Sequence, residues 1–278
     1  MMPKIGIMQG RLSPPQNGRF QFFPKNWQAE FLLAKELGFN SIEWIYEEDN
    51  KQVQCGSNPI LDRGWREQIR IISSRCNVGV HSICADYFMN YGFFESDAAS
   101  VYVLSALIHV AMSLKIKTIV LPFLEEFAIK NQKQEMKVIK NIDTVLGICH
   151  AYGVRLALET ELDAKNLKRF IKQFRSSYVG VCYDLGNTAS YGHDSPKDIE
   201  LLGNLIFEVH VKDRKRSFTQ SVYLGEGDVD FTKCFRALRE IGFCGPYILQ
   251  AYRGDNYLND AKKQLEFVKN KMEALQWI

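Results

Sequence analysis

Short apolar runs and longer amphipathic stretches alternate along this chain from one end to the other. The runs KIGIMQ, SIEWIY, VGVHSIC, TIVLPF, RLALET, VGVCYD, IFEVHVK and YILQAY are rich in β-branched and aromatic residues and have the length of strands buried on both faces. Between them, WQAEFLLAKELG, WREQIRIISSRC, ASVYVLSALIHVAMSL, MKVIKNIDTVLGICHAYG and FTKCFRALREIG carry apolar residues at helical spacing. Gly38, Gly153 and Gly242 follow the last apolar turn of such stretches, where a glycine caps a helix and feeds the next strand. The pattern predicts strands at Lys4–Gln9, Ser41–Tyr46, Val78–Cys84, Thr118–Phe123, Arg155–Thr160, Val179–Asp184, Ile206–Lys212 and Tyr247–Tyr252. Eight βα units of this kind close a (β/α)8 barrel of the α/β class. No Pro/Ser/Gly linker, low-complexity tract or charge block interrupts the alternation, so one barrel domain is expected over residues 1–278.

Composition agrees with that size of core: 278 residues with 46% hydrophobic and 24% charged content suit one large barrel better than two ordinary domains. A net charge of +3, spread over 35 basic and 32 acidic residues, argues against a nucleic-acid surface. The seven cysteines (55, 76, 84, 149, 182, 234 and 244) are odd in number, lack CxxC spacing and mostly sit in apolar segments, as reduced thiols do. There is no basic leader and no uninterrupted apolar run of about 18 residues, so a cytoplasmic protein without a membrane partner is expected. Whether it forms a homo-oligomer is left open.

In a (β/α)8 barrel the chemistry sits at the C-terminal strand ends. Walking those ends gives Gln9 with Arg11, Glu43, His81, no side-chain ligand at Pro122, then Glu159, Asp184, His210 and Gln250. A carboxylate, a carboxylate and an imidazole at neighbouring strand ends converge, and buried charges of that kind persist only when paired or metal-bound. Plainer readings exist for each: Glu161 as the inward residue instead of Glu159, Asp184 as a turn cap, and His210 as a satisfied core histidine. Ser82 could replace His81 as the inward neighbour, and Glu43 and His81 are candidate contacts to a substrate or to the residues that hold it. Lys212 and Arg216, in the basic run after the seventh strand, are candidate phosphate or sugar-hydroxyl contacts, followed by a Gly225-Glu226-Gly227 loop able to approach an anion closely.

The segments KIGIMQGRL, LGFNSIEW, LALETEL, CYDLGN, EVHVKD and GEGDVDFTKCFRALREIGFCGPYILQ resemble the xylose isomerase-like TIM-barrel superfamily, and the second half resembles its L-ribulose-5-phosphate 3-epimerases, also called hexulose-6-phosphate isomerases. The resemblance implies a cytoplasmic enzyme of carbohydrate metabolism that isomerises or epimerises a sugar or sugar phosphate. It implies one divalent ion, Mn²⁺, Co²⁺, Zn²⁺ or Mg²⁺, on Glu159, Asp184 and His210, with Gln250 where the family places a fourth ligand, a glutamate. The ion would stabilise an enediolate, with Glu159 both ligand and base. Gln250 departs from the family's glutamate: its amide oxygen can meet a hard cation, but it cannot take a proton. Epimerisation ordinarily uses two opposed bases, so the substitution favours a one-base aldose–ketose isomerase.

Three other readings compete. A keto-inositol dehydratase shares barrel, metal and enolate, and a barrel that lost its fourth ligand could be a catalytically impaired sugar-binding protein. An apurinic endonuclease would need further His and Asp ligands where this chain has Leu121-Pro122, Asn187 and Gln250.

Overall fold

The computed structural model describes residues 3–16, 19, 21–47, 58–218 and 220–276. Eight parallel strands close a barrel: β1 (Lys4–Met8), β2 (Ser41–Ile45), β3 (Gly79–Cys84), β4 (Thr118–Phe123), β5 (Arg155–Thr160), β6 (Val179–Asp184), β7 (Ile206–Val211) and β8 (Pro246–Leu249), with β8 pairing back onto β1. Each strand is followed by a principal helix: α1 (Trp27–Leu37), α2 (Arg63–Cys76), α3 (Asp97–Leu114), α4 (Gln132–Tyr152), α5 (Ala164–Gln173), α6 (Ser195–Leu202), α7 (Phe231–Glu240) and α8 (Tyr257–Ala274). The expected (β/α)8 architecture is therefore observed. Gly38 ends α1 in the left-handed region at φ 91°, its amide reaching the carbonyls of Ala34 and Lys35, which is why a glycine stands there.

Two buried apolar clusters build the core. The larger lies between strands and helices, joining residues such as Ile5 and Ile7 to Phe31, Leu107, Val145 and Phe235. The smaller takes one residue from each strand, Met8, Ile45, Cys84, Val120, Ala157, Cys182, Phe207 and Ile248, and plugs the barrel interior. Side chains alternate along a strand, so the second residue after Ala157, Cys182 and Ile248 also faces inward, one step nearer the C-terminal mouth. Those residues are Glu159, Asp184 and Gln250.

Two register shifts decide which side chains face the interior. Across β2 and β3, Ile42 pairs with Val80 but Glu43 pairs with Ser82, leaving His81 as the extra residue. Across β6 and β7, Val181 pairs with Ile206 but Cys182 pairs with Glu208, leaving Phe207 extra. Such bulges re-aim the residues beyond them. The sheet pairing of β8 ends at Leu249, short of the expected Tyr252, although the Gln250 amide still donates to the Val211 carbonyl at 3.1 Å. Beyond it the chain turns off the sheet, where the Arg253 guanidinium donates to the carbonyls of Gly10 and Arg19.

Helix α3 is long and apolar enough to cross a membrane by length and composition, yet its buried face, including Val103, Leu104, Leu107 and Ala111, packs on β3, β4 and α4. Cys76, Cys84, Cys149, Cys182 and Cys234 are buried free thiols and Cys244 an exposed one, while Cys55 lies outside the described residues.

Candidate active site

The ends of β5, β6 and β7 bring three groups together at the floor of the barrel mouth. His210 Nδ1 lies 3.5 Å from Glu159 Oε2 and 3.9 Å from Asp184 Oδ2, and all three side chains are buried. Asp184 also caps the short helix Leu185–Ser190, its Oδ1 accepting from the Asn187 amide at 2.7 Å. The side chain of Asn187 turns back to donate to Glu159 Oε1 at 3.0 Å, which fixes that carboxylate. Asp184 thus caps the turn with one oxygen and faces the histidine with the other. Cys182 joins Glu159 and His210 in a set of ligand-type atoms within 4.8 Å of one another, a tighter set than one including Asp184.

Asp184 Oδ2 is drawn aside by Lys212, whose ammonium lies 2.8 Å away. The same ammonium donates to Gln250 Oε1 at 2.7 Å. Gln250 Nε2 in turn donates to Gln21 Oε1, and Gln21 Nε2 donates to Asp86 Oδ1 at 2.8 Å. The direction of this chain is fixed, because an ammonium can only donate and Asp86 Oδ1 accepts. The Gln250 amide oxygen, the atom expected as fourth metal ligand, is therefore engaged by Lys212. Burial works to raise the Asp184 carboxyl, but Lys212 and then His210 outweigh it and hold it below its ordinary value. Burial, and next the charge of Arg214, pull the Lys212 ammonium down, against the pull of Asp184.

Above these residues opens a cavity of about 260 Å³. Glu159, Lys212 and Gln250 form part of its wall, joined by Arg19, Gln21, Asp86 and Arg214 from the surrounding loops. Below them a second buried set supports His210 from the other side: Nε2 lies 3.1 Å from Glu43 Oε2 and 3.7 Å from Glu208 Oε1, and Ser82 Oγ donates to Glu208 Oε1 at 2.9 Å. Burial, and next the negative charge of Glu208, push the Glu43 carboxyl up to about 8, against the pull of His210.

Several expected residues stand elsewhere. Glu43 is wholly buried beneath His210 and is not part of the cavity wall. His81, the bulged residue of β3, has Glu208, Lys4 and Arg155 as its charged neighbours, and the last two begin β1 and β5 at the opposite end of the barrel. Ser82 takes the inward place instead. Arg216 lines a separate cavity of about 420 Å³ beside Gly192, and Arg214 occupies the mouth. The Gly225-Glu226-Gly227 loop already holds an anion, the Asp213 carboxylate, which accepts from the amides of Gly225, Gly227 and Val229 at 2.8, 2.9 and 3.2 Å. A Cβ at residue 227 would collide with Asp213 Oδ1, so this close approach requires the glycine. Glu161 points to the rim, accepting from the Glu125 amide at 2.6 Å, which leaves Glu159 as the inward glutamate. Gln9 accepts from the Ile45 amide at 3.0 Å and ties β1 to β2. Arg11 is buried beside Arg253 and Glu30, with burial pulling it down to about 9.

Known proteins share this fold. The model of the Xylose isomerase-like TIM barrel family matches residues 31–271. L-ribulose-5-phosphate 3-epimerase UlaE from Salmonella heidelberg is 24% identical over 263 residues, covering 89% of this chain and 90% of the relative. Among solved structures, the xylose isomerase domain protein from Planctomyces limnophilus superposes with a TM-score of 0.80 at 16% identity over 100% of both chains. A xylose isomerase-like TIM barrel protein from Mycobacterium smegmatis, solved in complex with magnesium, superposes with a TM-score of 0.74 at 17% identity over 99% of this chain and 97% of the other. With a closed eight-stranded barrel, polar strand ends gathered at one mouth and a family match across most of its length, the chain belongs to the Xylose isomerase-like TIM barrel family.

Proposed function

We propose that this protein is a divalent-metal-dependent isomerase or epimerase of a sugar or sugar phosphate, with Glu159 as the proton-abstracting base. The observation that carries the reading is the convergence of His210 Nδ1, Glu159 Oε2 and Asp184 Oδ2 beneath an open cavity. The donors suit a cation: His210 Nδ1 faces Glu159 Oε2 and Asp184 Oδ2, the latter balanced by the Lys212 ammonium at 2.8 Å, and His210 has carboxyl groups on both sides. Burial disfavours the imidazolium, yet Cys182, Glu43 and Glu159 raise the His210 pKa well above its ordinary value, and a divalent ion would neutralise that same negative field. Glu159, Asp184 and His210 would hold it, and Gln250 is left to hydrogen bonding. Bound there, the ion would draw electron density from a substrate carbonyl and so acidify the adjacent C–H bond.

The protein's own residues do the rest. Glu159 accepts the proton, its other oxygen held by Asn187 so that Oε2 keeps one direction. Glu43 holds the far side of the His210 ring, as carboxylates behind ligating histidines do. Lys212, Arg19 and Arg214 place positive charge around the cavity, which suits a polyhydroxylated or phosphorylated substrate. The epimerase activity named for the Salmonella relative makes L-ribulose 5-phosphate the first substrate to try.

The test is metal content in protein purified without chelator, followed by incubation with Mn²⁺ and L-ribulose 5-phosphate in deuterated water. One bound ion, deuterium at the carbon beside the carbonyl, and loss of both exchange and turnover in Glu159→Gln are expected. Metal-free protein that takes up no Mn²⁺, or undiminished exchange in Glu159→Gln, would refute the proposal.

A further inference from the structure

The lost glutamate at position 250 removes one of two opposed bases, yet the mouth cavity contains a carboxyl group that the family pattern does not predict. Asp86 follows β3 and lines the same cavity as Glu159. Its Oδ1 is held by Gln21, whose other amide atom is bonded to Gln250. Gln21 belongs to the segment after β1, and in the closed ring β1 stands four strands from β5 in either direction, directly across the barrel from Glu159. Asp86 itself follows β3, two strands from β5, and the hydrogen-bond chain ties its carboxyl to the Gln21 and Gln250 side of the cavity.

We propose that Asp86 is the second acid–base group of this site, delivering a proton to the face of the substrate opposite Glu159. The inference rests on the isomerase or epimerase reading above and narrows it to epimerisation. Glu159 takes the proton from the substrate carbon, and the C–H electron pair moves into the enediolate. Asp86 then gives its carboxyl proton to the opposite face of that carbon, and the pair returns to form the new C–H bond. Glu159 has gained a proton and Asp86 has lost one, so both re-equilibrate with water through the open mouth before the next turnover.

The surroundings favour a protonated Asp86. Burial, and next the charge of Glu47, push its carboxyl up to about 7, while Gln21 and Arg19 pull the other way and Glu159 adds to the rise. Arg19 is itself ion-paired with Glu47, which weakens its hold on Asp86. With Oδ1 accepting from Gln21, the proton belongs on Oδ2.

The experiment follows C3 of L-ribulose 5-phosphate by NMR in deuterated water with the Mn²⁺-loaded protein. Wild type should invert C3 and incorporate deuterium. Asp86→Asn, which keeps the size and the Gln21 contact, should still exchange the C3 hydrogen with retention through Glu159 while inversion falls by about 100-fold or more. Asp86→Glu should recover part of the inversion. Inversion by Asp86→Asn as fast as by wild type, or wild type that exchanges C3 without ever inverting it, overturns the role of Asp86 and leaves the wider reading intact. Wild type that neither exchanges nor inverts rejects the sugar-isomerase reading and the role of Asp86 with it.

Discussion

Asp184 and Lys212 form a buried ion pair whose worth can be measured independently of any substrate. Their charged ends lie 2.8 Å apart, with the side chains 2% and 3% exposed. Removing one partner of such a pair leaves an uncompensated buried charge and costs about 3–5 kcal/mol. The lower end applies, because Lys212 keeps Gln250 Oε1 at 2.7 Å and Asp184 keeps the Asn187 amide at 2.7 Å. Asp184→Asn should therefore cost about 3 kcal/mol, and Asp184→Ala about 1 kcal/mol more through loss of the cap on Leu185–Ser190. Lys212→Met should also cost about 3 kcal/mol. The double variant Asp184→Asn/Lys212→Met leaves no unpaired charge, so it should cost far less than the two singles together, a coupling of about 3 kcal/mol. Denaturant unfolding in the presence of a chelator reads this as midpoint shifts at constant m, free of any metal contribution. A coupling below about 0.5 kcal/mol would refute the reasoning, since that is what distant, independent sites show.

Three further outcomes are expected. Glu43→Gln should lower Mn²⁺ affinity about 10–100-fold in a direct titration without unfolding the protein, because it removes the carboxyl group 3.1 Å behind His210 Nε2. Glu30 accepts from the amides of Gly10 and Leu12 and from Ser13 Oγ, yet burial pushes it up from 4.5 to about 7. The folded state then binds a proton more tightly than the unfolded one, so stability falls as pH rises from about 4.5 to 7, by about 3 kcal/mol from this group. Unfolding curves across that window should flatten in Glu30→Gln, and an unchanged slope would count against it. Inorganic phosphate should compete with a sugar phosphate less well in Arg214→Gln than in wild type, while Arg216→Gln should leave competition unchanged, because only Arg214 lines the mouth cavity.

The barrel is legible in the sequence because parallel strands are buried on both faces and so appear as unbroken apolar runs. Glu159, Asp184 and His210 stand out for the same reason, each a polar residue at the end of such a run. Glu208 is legible by alternation, two residues before His210 and on the same face, but a search of strand ends passes over it. The misplacement of His81 has a different origin. One extra residue in β3 reverses which of His81 and Ser82 faces inward, and nothing in VGVHSIC marks the bulge. Gln21 and Asp86 lie in loops, where no periodicity applies and only the folded barrel brings them to Gln250.

That contact also changes what Gln250 means. Considered alone, a glutamine in place of a glutamate subtracts a ligand, a base and a negative charge from the site. Within the fold the same amide has two ends, one accepting from Lys212 and one donating to Gln21, which a carboxylate could not do. A glutamate here would put two acceptors between Lys212 and Gln21, forcing the Gln21 amide to turn over and present its oxygen to Asp86. Asp86 would then have to donate rather than accept at that oxygen, tying up the proton proposed for the substrate. The glutamine is thus consistent with a site whose second proton donor has moved from the end of β8 to the loop after β3, and Gln250→Glu should disturb Asp86 more than it restores a ligand.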